Sequence, residues 1–363
     1  MSSSNAEATT KTLRVAIIGY GLAGAVFHAP LVSSTPGMAV AAIVTNNPRR
    51  QEHARRDFPH AAILPTADDI WHHASRYDLV VVATPNRTHV PLGLTAMNAG
   101  LPVVIDKPMA ATVADAEQLI TASHSTGQLL TVFQNRRWDN DFLTVRQLIS
   151  ADLLGPITRF ESRFERYRAV SRPHAWRELS APEEAGGLLY DLGSHLIDQA
   201  LVLFGRPTRV YAEVEKRRPG VQVDDDTFVA LQFASGIHAH LWMNVVSRIA
   251  GPRIRLNGLR GTYEKWGLDP QEHALGTGMR PGDAAWGLEP QERWGRLFTE
   301  VNGIRIDTPI ETLPGAYEQF YALLREALLT NGPPPVDPSE VLTTLRVIEA
   351  AQESGQSGMT VMV

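Results

Sequence analysis

An apolar run that leads straight into a glycine-rich turn constrains the fold of this chain more than any other feature. Residues 13–18 read LRVAII, and Gly19-Tyr20-Gly21-Leu22-Ala23-Gly24 follows, ahead of a helical pattern. The first glycine of such a turn permits a sharp bend, the second lets a pyrophosphate approach the backbone, and the third brings helix and strand close together. The free N–H groups at the start of the helix attract phosphate. The pattern therefore predicts a dinucleotide site formed by all six turn residues, against the alternative of a glycine-rich turn without a ligand.

Short apolar runs alternate with helical stretches between residues 13 and 133. These runs are nearly continuous and rich in β-branched residues, which is typical of strands buried on both faces of a parallel sheet. Thr112 as N-cap and Gly127 as C-cap delimit one intervening helix, and a second is predicted at about 88–100. The alternation predicts a doubly wound α/β Rossmann domain. Its strands are predicted at 13–18, 40–44, 79–83, 102–105 and 129–133.

The pattern changes in the second half of the chain to strict alternation of apolar and polar residues. This period of two is typical of antiparallel strands with one face in water, and two helices are predicted near the end. With a boundary near 135–150, we expect a disordered tail at 1–12, a Rossmann domain at 13–137 and a C-terminal α+β domain at 138–363. The second domain should hold a large, mainly antiparallel open sheet, and its last helices can pack back on the first domain. The segments concerned are 157–166, 210–214 and 226–233 for the strands, and 316–330 and 339–353 for the helices.

Composition excludes several classes of function. The net charge of −5 over 363 residues is scattered, so no nucleic-acid partner is expected. The chain has no cysteine, which excludes disulfides, thiolate metal sites and a cysteine nucleophile and is consistent with a cytoplasmic location. No run reaches about 18 apolar residues, so no membrane span is expected. No metal site is expected either, because His72-His73 and the pair His238 and His240 lack carboxylates at ligand spacing.

The end of the second predicted strand distinguishes the two nicotinamide dinucleotides. An acidic residue there binds the ribose hydroxyls of NAD, whereas small polar residues with arginine accept the 2′-phosphate of NADP. The chain reads Val44-Thr45-Asn46-Asn47-Pro48-Arg49-Arg50, without a carboxylate. NADP is therefore favoured over NAD, although both arginines can also be solvated residues in the first turn of a surface helix. The predicted cofactor contacts here are Thr45, Asn46, Arg49 and Arg50.

Two further segments carry candidate catalytic residues. Lys107 follows the strand ending at 105, where ligands bind in parallel sheets, and its ammonium can polarise a substrate oxygen. Asp191, His195 and Asp198 have the spacing i, i+4 and i+7, which places them on one face of a largely apolar helix. An Asp beside a His favours acid–base chemistry near neutral pH. Glycine at position 193, inside this helix, lowers helix stability by about 1 kcal/mol relative to Ala. Its presence predicts that another group approaches the helix closely at this position. The alternative for Lys107 is an exposed lysine at a strand end. The alternative for the three helix residues is a polar cluster in the core whose members hydrogen-bond to one another.

Together, the glycine turn, the D-K-P motif at 106–108 and the D-L-G-S-H motif at 191–195 resemble the glucose-fructose oxidoreductase / inositol dehydrogenase / rhizopine catabolism (Gfo/Idh/MocA) family. The resemblance covers nearly the whole chain. Residues 27–30 (FHAP), 134–139 (QNRRWD) and 267–272 (GLDPQE) look most like its scyllo-inositol 2-dehydrogenase branch. The family motif usually reads E-K-P, and Asp106 replaces the glutamate here.

The resemblance implies an NAD(P)-dependent dehydrogenase acting on CH–OH groups, and homodimers or tetramers formed through the open sheet. The substrate implied is scyllo-inositol and its 2-keto form, with an aldose or a 1,5-anhydro sugar as the alternative. A non-catalytic dinucleotide sensor is a further alternative, which the presence of the catalytic set disfavours. The resemblance assigns catalysis to Lys107, Asp191 and His195. It places these three residues with Arg136 at the substrate, and Thr84, Pro85, Asn86, His89, Asp106, Lys107, Trp176 and Arg177 at the cofactor.

Overall fold

The computed structural model of the protein describes residues 11–170 and 184–363. The predicted tail therefore lies almost wholly outside the described residues, and so do Trp176 and Arg177. The chain forms two compact units, each built from segments distant in sequence. The first unit contains the chain up to Asn135 with Gln271–Trp286 and Ala316–Val341, and the second contains Arg136–Pro270, Gly287–Gly315 and Leu342–Val363.

The first unit is built on a six-stranded parallel sheet with the order β3-β2-β1-β4-β5-β6. This order is that of a dinucleotide-binding Rossmann sheet, so the predicted fold class is confirmed. One strand, β3, was not predicted, because it has only three residues and is partly exposed. The strands are β1 (Leu13–Ile18), β2 (Met38–Val44), β3 (Ala62–Leu64), β4 (Leu79–Val82), β5 (Val103–Asp106) and β6 (Leu130–Phe133).

Helices connect these strands. The first, α1, begins with a π-helical segment at Ala23–His28 and continues as an α-helix over Ala29–Ser34. The predicted ends of α5 are confirmed, because Thr112 caps its N-terminus and Gly127 ends it with a left-handed φ of 68°. The other helices before residue 130 are α2 (Pro48–Asp57), α3 (Asp68–His72), α4 (His89–Asn98) and α5 (Val113–Thr126).

Two helices from late in the chain complete the first unit. The short α8 (Gln271–Gly276) packs on the first part of α1, and α9 (Glu318–Thr330) packs on its second part. Phe320 and Tyr321 of α9 are fully buried and contact Phe133 at the end of β6. The last helix, α10 (Pro338–Ser357), belongs partly to each unit.

The second unit is built on a nine-stranded sheet with the order β14-β13-β12-β11-β7-β10-β9-β8-β15. The predicted antiparallel pattern is confirmed for every pair except β7 and β10, which run parallel. The long connection after β7 permits this, because only a hairpin forces neighbouring strands to be antiparallel. The strands are β7 (Ile157–Glu165), β8 (Pro207–Glu215), β9 (Asp226–Phe233), β10 (His238–Asn244), β11 (Ile254–Gly258), β12 (Gly261–Lys265), β13 (Gly295–Val301), β14 (Ile304–Ile310) and β15 (Val361–Met362).

Besides the C-terminal part of α10, whose Ser354 hydroxyl accepts a hydrogen bond from the backbone N–H of Ala212 in β8, two helices lie on one face of this sheet within the second unit. These are α6 (Asn140–Ser150) and α7, which begins with a π-helical segment at Leu189–Gly193 and continues over Ser194–Phe204. Alternate residues such as Phe160 and Phe164 face the helices and are buried, while the residues between them face the other way and are partly exposed. None of the described helices is long and apolar enough to cross a membrane.

Candidate active site

The glycine turn after β1 has the geometry that dinucleotide binding requires. Gly19 has a φ of +100°, and a Cβ there would overlap the carbonyl oxygen of Ala83 at the end of β4. A Cβ on Gly24 would overlap the carbonyl of Gly19. At Gly21 a Cβ would meet only the guanidinium of Arg50, whose Nη1 would be 3.7 Å away. The backbone of Gly21 therefore faces open space next to a positive charge, which suits a phosphate group.

Several side chains of the turn and of the segment after β2 are exposed or partly exposed: Leu22 is 60% exposed, Ala23 is half-buried, and Asn46, Arg49 and Arg50 lie at the surface. Tyr20 differs from the prediction, because its ring is 2% exposed and packs against His53 and Phe58 of the helix after β2. Burial raises the pKa of Tyr20 to about 12. Tyr20 can therefore contribute only main-chain atoms to the cofactor site.

The segment after β2 is shaped by Asn47, which the sequence did not single out as a cap. Its side chain accepts a hydrogen bond of 3.2 Å from the backbone N–H of Arg50 and caps α2. Thr45 is buried, and its carbonyl oxygen accepts from the side chain of Gln51 at 2.8 Å. The cap fixes the first turn of α2, from which the exposed Arg50 side chain reaches Gly21.

The loop after β4 is held by internal hydrogen bonds. The Thr88 hydroxyl lies 2.7 Å from both the hydroxyl of Thr84 and the carbonyl oxygen of Pro85. Asn86 is 8% exposed, and Pro85 is exposed. This loop follows the strand beside β1, at the point where the strand order reverses and where such sheets bind ligands.

His89, predicted at the cofactor, contacts two backbone carbonyl groups. It is 1% exposed, with Nδ1 2.8 Å from the carbonyl oxygen of Pro108 and Nε2 2.9 Å from that of Thr84. Both partners are acceptors, so both hydrogen bonds form together only when the ring carries two protons. Burial lowers the pKa of His89, although the charge of Asp106 and the two carbonyl groups oppose this shift. The ring ties the loop after β4 to the segment that carries Lys107.

Lys107 lies directly after β5, as the sequence predicts, and it is partly buried. The carboxylate of Asp106 accepts a 2.9 Å hydrogen bond from the backbone N–H of Lys107. Burial acts to raise the pKa of Asp106, but His28, Lys107 and His89 outweigh it, and the pKa lies below its usual value. The loop therefore presents a lysine beside an ionised carboxylate.

In the second unit, α7 carries the other predicted catalytic residues. Asp191 is half-buried in its π-helical segment, and His195 is 4% exposed one turn later. Asp198, on the same predicted face, is bound by Arg137 through two hydrogen bonds of 2.8 and 2.7 Å. The close approach predicted at Gly193 is made by the sulfur of Met243, which would lie 2.9 Å from a Cβ. Gly193 thus serves the packing of α7 on β10.

The start of α7 is fixed by Asp224, a residue that the sequence analysis missed. Its carboxylate accepts from the backbone N–H of Leu189 at 2.8 Å and from the hydroxyl of Thr227 at 2.6 Å. Gly187 has a φ of +91°, and a Cβ there would overlap the Asp224 carboxylate. Burial raises the pKa of Asp224, although these hydrogen bonds oppose the shift. The signal was the Gly186-Gly187 pair before the helix, but Asp224 lies 35 residues beyond Leu189, whose N–H it binds.

Arg136 lies in a 3₁₀ turn, Asn135–Trp138, which is tied to α7. Its carbonyl oxygen accepts from the side chain of Gln199 at 2.8 Å, and the neighbouring Arg137 binds Asp198. The Arg136 guanidinium lies 4.8 Å from the centre of the Phe164 ring. These links fix the turn of Arg136 relative to the helix of His195.

Two of the three branch-like segments meet at the N-terminus of α6. The carboxylate of Asp269, from 267–272, accepts a 2.7 Å hydrogen bond from the backbone N–H of Asn140, next to 134–139. Asp139 is 1% exposed, and burial raises its pKa well above the usual value. Within 11–170 and 184–363, no group of three or more His, Asp or Glu residues could hold a metal ion.

Known oxidoreductases match this chain over nearly its full length, both in sequence and in structure. A family model described as "Oxidoreductase family, NAD-binding Rossmann fold" matches residues 13–134, and one described as "Oxidoreductase family, C-terminal alpha/beta domain" matches 146–363. The chain is 37% identical to scyllo-inositol 2-dehydrogenase (NADP(+)) IolW of Bacillus subtilis, over 97% of this chain and 96% of that protein. It is 36% identical to the uncharacterized oxidoreductase YdgJ of Escherichia coli, over 96% and 98% of the two chains. The solved structure of the oxidoreductase yvaA of Bacillus subtilis matches with a TM-score of 0.92 and 36% identity, over 97% and 99% of the two chains.

Proposed function

Because the chain belongs to the Gfo/Idh/MocA oxidoreductase family, we propose that it interconverts scyllo-inositol and its 2-keto form with NADP. The observation that carries the proposal is the near-full-length similarity to a scyllo-inositol 2-dehydrogenase in a chain that has Lys107, Asp191 and His195. The contact between Asp269 and Asn140 adds support, because it links the branch-like segment 267–272 to the residue that directly follows the branch-like segment 134–139.

The glycine turn fits a nicotinamide dinucleotide on structural grounds. The backbone of Gly21 is open, the N–H groups at the start of α1 follow it, and Arg50 supplies a positive charge. When bound, the dinucleotide supplies a nicotinamide ring that accepts or returns a hydride at C4. The second strand ends in Thr45 and Asn46, without a carboxylate, which supports NADP as the preferred form.

The roles proposed for the side chains follow from their chemistry. His195 removes the proton from the reacting hydroxyl, and the ammonium of Lys107 stabilises the oxygen as negative charge develops on it. Asp191 orients the imidazole and stabilises its protonated form. Arg136 binds a neighbouring hydroxyl. In the reverse direction, ketone reduction, His195 returns the proton to the same oxygen.

Initial rates test this function. The panel contains scyllo-inositol, other inositols, aldoses and 1,5-anhydro sugars, each with NADP and with NAD, and absorbance at 340 nm reports the reduced cofactor. We expect the highest kcat/KM with scyllo-inositol and NADP. Turnover of an aldose alone would contradict the inositol assignment, and tight dinucleotide binding without any turnover would favour a sensor.

We also propose that the protein forms a homodimer through the face of the nine-stranded sheet opposite α6 and α7, which no helix covers in the part of the chain that the structure describes. Phe228, His240 and Trp242 form a partly exposed aromatic cluster on this face, and the guanidinium of Arg163 lies 3.9 Å from the Trp242 ring. Aromatic residues and arginine are enriched in the cores of protein interfaces. A second copy of the chain would cover this cluster.

A further inference from the structure

A buried histidine, His28, lies beside the carboxylate that precedes Lys107, and no step of the proposed reaction uses it. His28 is the last residue of the π-helical part of α1 and is 0% exposed. Its Nδ1 lies 2.6 Å from the hydroxyl of Tyr321 in α9, and its Nε2 lies 3.9 Å from Oδ1 of Asp106. The ring stacks at an angle on Phe133, with 4.4 Å between centroids. Polar groups in such an aromatic core destabilise the fold unless they satisfy one another.

The donors and acceptors of these three groups fit one arrangement. An ionised carboxylate only accepts hydrogen bonds, so the ring proton belongs on Nε2, which faces Asp106. Nδ1 then accepts from the Tyr321 hydroxyl. The distance of 3.9 Å is too long for a hydrogen bond, and Nε2 has no other hydrogen-bond partner in the part of the chain that the structure describes. The ring therefore acts on Asp106 through its N–H dipole, and a closer approach of about 1 Å would form the bond.

His28 and Tyr321 are suited to stabilising the negative charge of Asp106 rather than to moving a proton to solvent. Tyr321 is 0% exposed, so the chain of contacts from Asp106 through His28 to Tyr321 ends inside the protein. Burial, with the charge of Asp106 as the second cause, raises the pKa of Tyr321 well above its usual value. The hydroxyl therefore keeps its proton and donates a hydrogen bond to Nδ1 of His28.

Asp106 connects this pair to Lys107. The side chain of Asp106 is 14% exposed, and its Oδ1 accepts from the backbone N–H of Lys107. The charged and titratable groups that face it are His28 of α1, His89 of α4, Tyr321 of α9 and Lys107 itself. Aspartate is one methylene shorter than the glutamate usual in this motif, which keeps the carboxylate close to the main chain of β5.

We propose that His28, held by Tyr321, is a positioning residue that keeps the Asp106 carboxylate ionised and fixed beside Lys107. Through Asp106, which accepts a hydrogen bond from the backbone N–H of Lys107, it fixes the segment from which the Lys107 side chain emerges. The inference rests on the proposed catalytic role of Lys107. It gives the branch-like segment 27–30 a function, since that segment supplies the histidine.

A double-mutant cycle tests whether His28 acts through Asp106. We expect His28→Leu to lower kcat/KM about tenfold or more through kcat, with the Kd of NADP changed less than about twofold. The acid limb of the pH profile should move to higher pH, because loss of the ring raises the pKa of Asp106. In an Asp106→Asn background the same substitution should cost almost nothing, since the charge that it supports is gone. An equal cost in both backgrounds, or full activity of His28→Leu, overturns the proposal.

Conservative variants separate positioning from a general loss of packing. His28→Gln retains an amide donor that can face Asp106 and should recover part of the lost kcat. Tyr321→Phe should cause a smaller loss in the same direction, and it serves as the test if His28→Leu does not fold. Tyr263→Phe is the matched control, because Tyr263 is also fully buried and its hydroxyl has no hydrogen-bond partner among the described residues. A loss of kcat in the control equal to that of Tyr321→Phe would contradict the proposal.

A readout without turnover distinguishes this inference from the proposed function. Acetylation of Lys107 by acetic anhydride is followed by mass spectrometry as a function of pH. Asp106→Asn, and to a smaller extent His28→Leu, should shift this profile, because the backbone N–H of Lys107 loses the carboxylate that holds it. Unshifted profiles overturn the inference whatever the enzyme does with polyols. Shifted profiles in a protein that turns over no polyol support the inference and contradict the proposed function.

Discussion

At the scale of single residues, the proposed preference for NADP depends on Arg50. Its guanidinium lies next to Gly21, on a helix whose first turn Asn47 fixes. A hydrogen bond from arginine to a phosphate group is charge-assisted, and loss of one such bond costs about 1.5–3 kcal/mol. Arg50→Gln should therefore raise the KM for NADP about 10- to 100-fold. The KM for NAD should change by less than about threefold, because NAD lacks the 2′-phosphate.

Arg55→Gln is the control for this substitution, because Arg55 is exposed in the last turn of the same helix. It removes the same charge from α2 and should leave both KM values unchanged. If Arg50→Gln weakens NAD and NADP equally, Arg50 binds the pyrophosphate rather than the 2′-phosphate. The preference for NADP would then need another source.

His195 offers a second test at this scale. General acid–base catalysis contributes about 10²- to 10⁴-fold to a rate. His195→Ala should lower kcat by at least about 100-fold and leave the Kd of NADP unchanged, because the proposed role of His195 is to move the proton of the substrate hydroxyl. Single-turnover rates and a fluorescence titration of NADP would show this. Turnover within a few-fold of wild type would contradict the assignment of His195 as the base.

Residues recognisable from sequence are those whose role depends on neighbours in the chain. The glycine turn and Lys107 follow apolar strands, so their places at the end of the sheet could be predicted. Tyr321 could not, because its partner His28 is 293 residues away. The burial of Tyr20 and His89 was missed for the same reason, since the rings are enclosed by residues from other elements.

At the scale of elements, the start of α7 depends on a close contact that a substitution can test. Gly187→Ala places a Cβ on the Asp224 carboxylate that caps this helix, at a φ of +91°. A left-handed residue costs about 1–2 kcal/mol and a lost cap about 1 kcal/mol. We expect the free energy of unfolding to fall by about 2–3 kcal/mol, as measured by urea denaturation, and kcat to fall because α7 carries His195.

Gly127→Ala is the comparison for Gly187→Ala. Gly127 also has a left-handed φ, 68°, but no atom lies within 4 Å of the added Cβ. This substitution should cost about 1 kcal/mol and leave kcat unchanged. Equal effects of the two substitutions on kcat would show that the contact with Asp224 does not position the helix.

The elements themselves were largely predictable, because hydrophobic period and length specify them. β1 and β9 have the predicted bounds, and α5 has the predicted caps. The parallel pairing of β7 with β10 was not predictable, because alternation shows which face of a strand is buried but not which strand lies beside it. The π-helical starts of α1 and α7 were missed for a related reason, since one extra residue in a turn leaves the apolar pattern almost unchanged.

At the scale of the whole molecule, one face of the nine-stranded sheet is left uncovered by the helices within residues 11–170 and 184–363. It combines the aromatic cluster around Trp242 with paired charges, such as Arg255 with Glu264 and Arg296 with Asp307. Paired charges cost less to bury than single ones. The surface is therefore compatible with a two-fold interface in which the same residues of two copies meet.

Trp242→Glu tests this interface. The substitution places a negative charge in the aromatic cluster, and in a two-fold dimer the two copies of that charge would be close together and desolvated, which disfavours association. Sedimentation velocity should show a dimer for the wild type and mainly a monomer for the variant. Leu323→Glu is the control, because Leu323 is 41% exposed on α9 of the first unit, and it should leave the dimer intact. A variant that remains dimeric at micromolar concentration would place the interface elsewhere. A monomeric variant with unchanged kcat would show that each chain contains a complete site, because no residue from a second copy would then be needed for turnover.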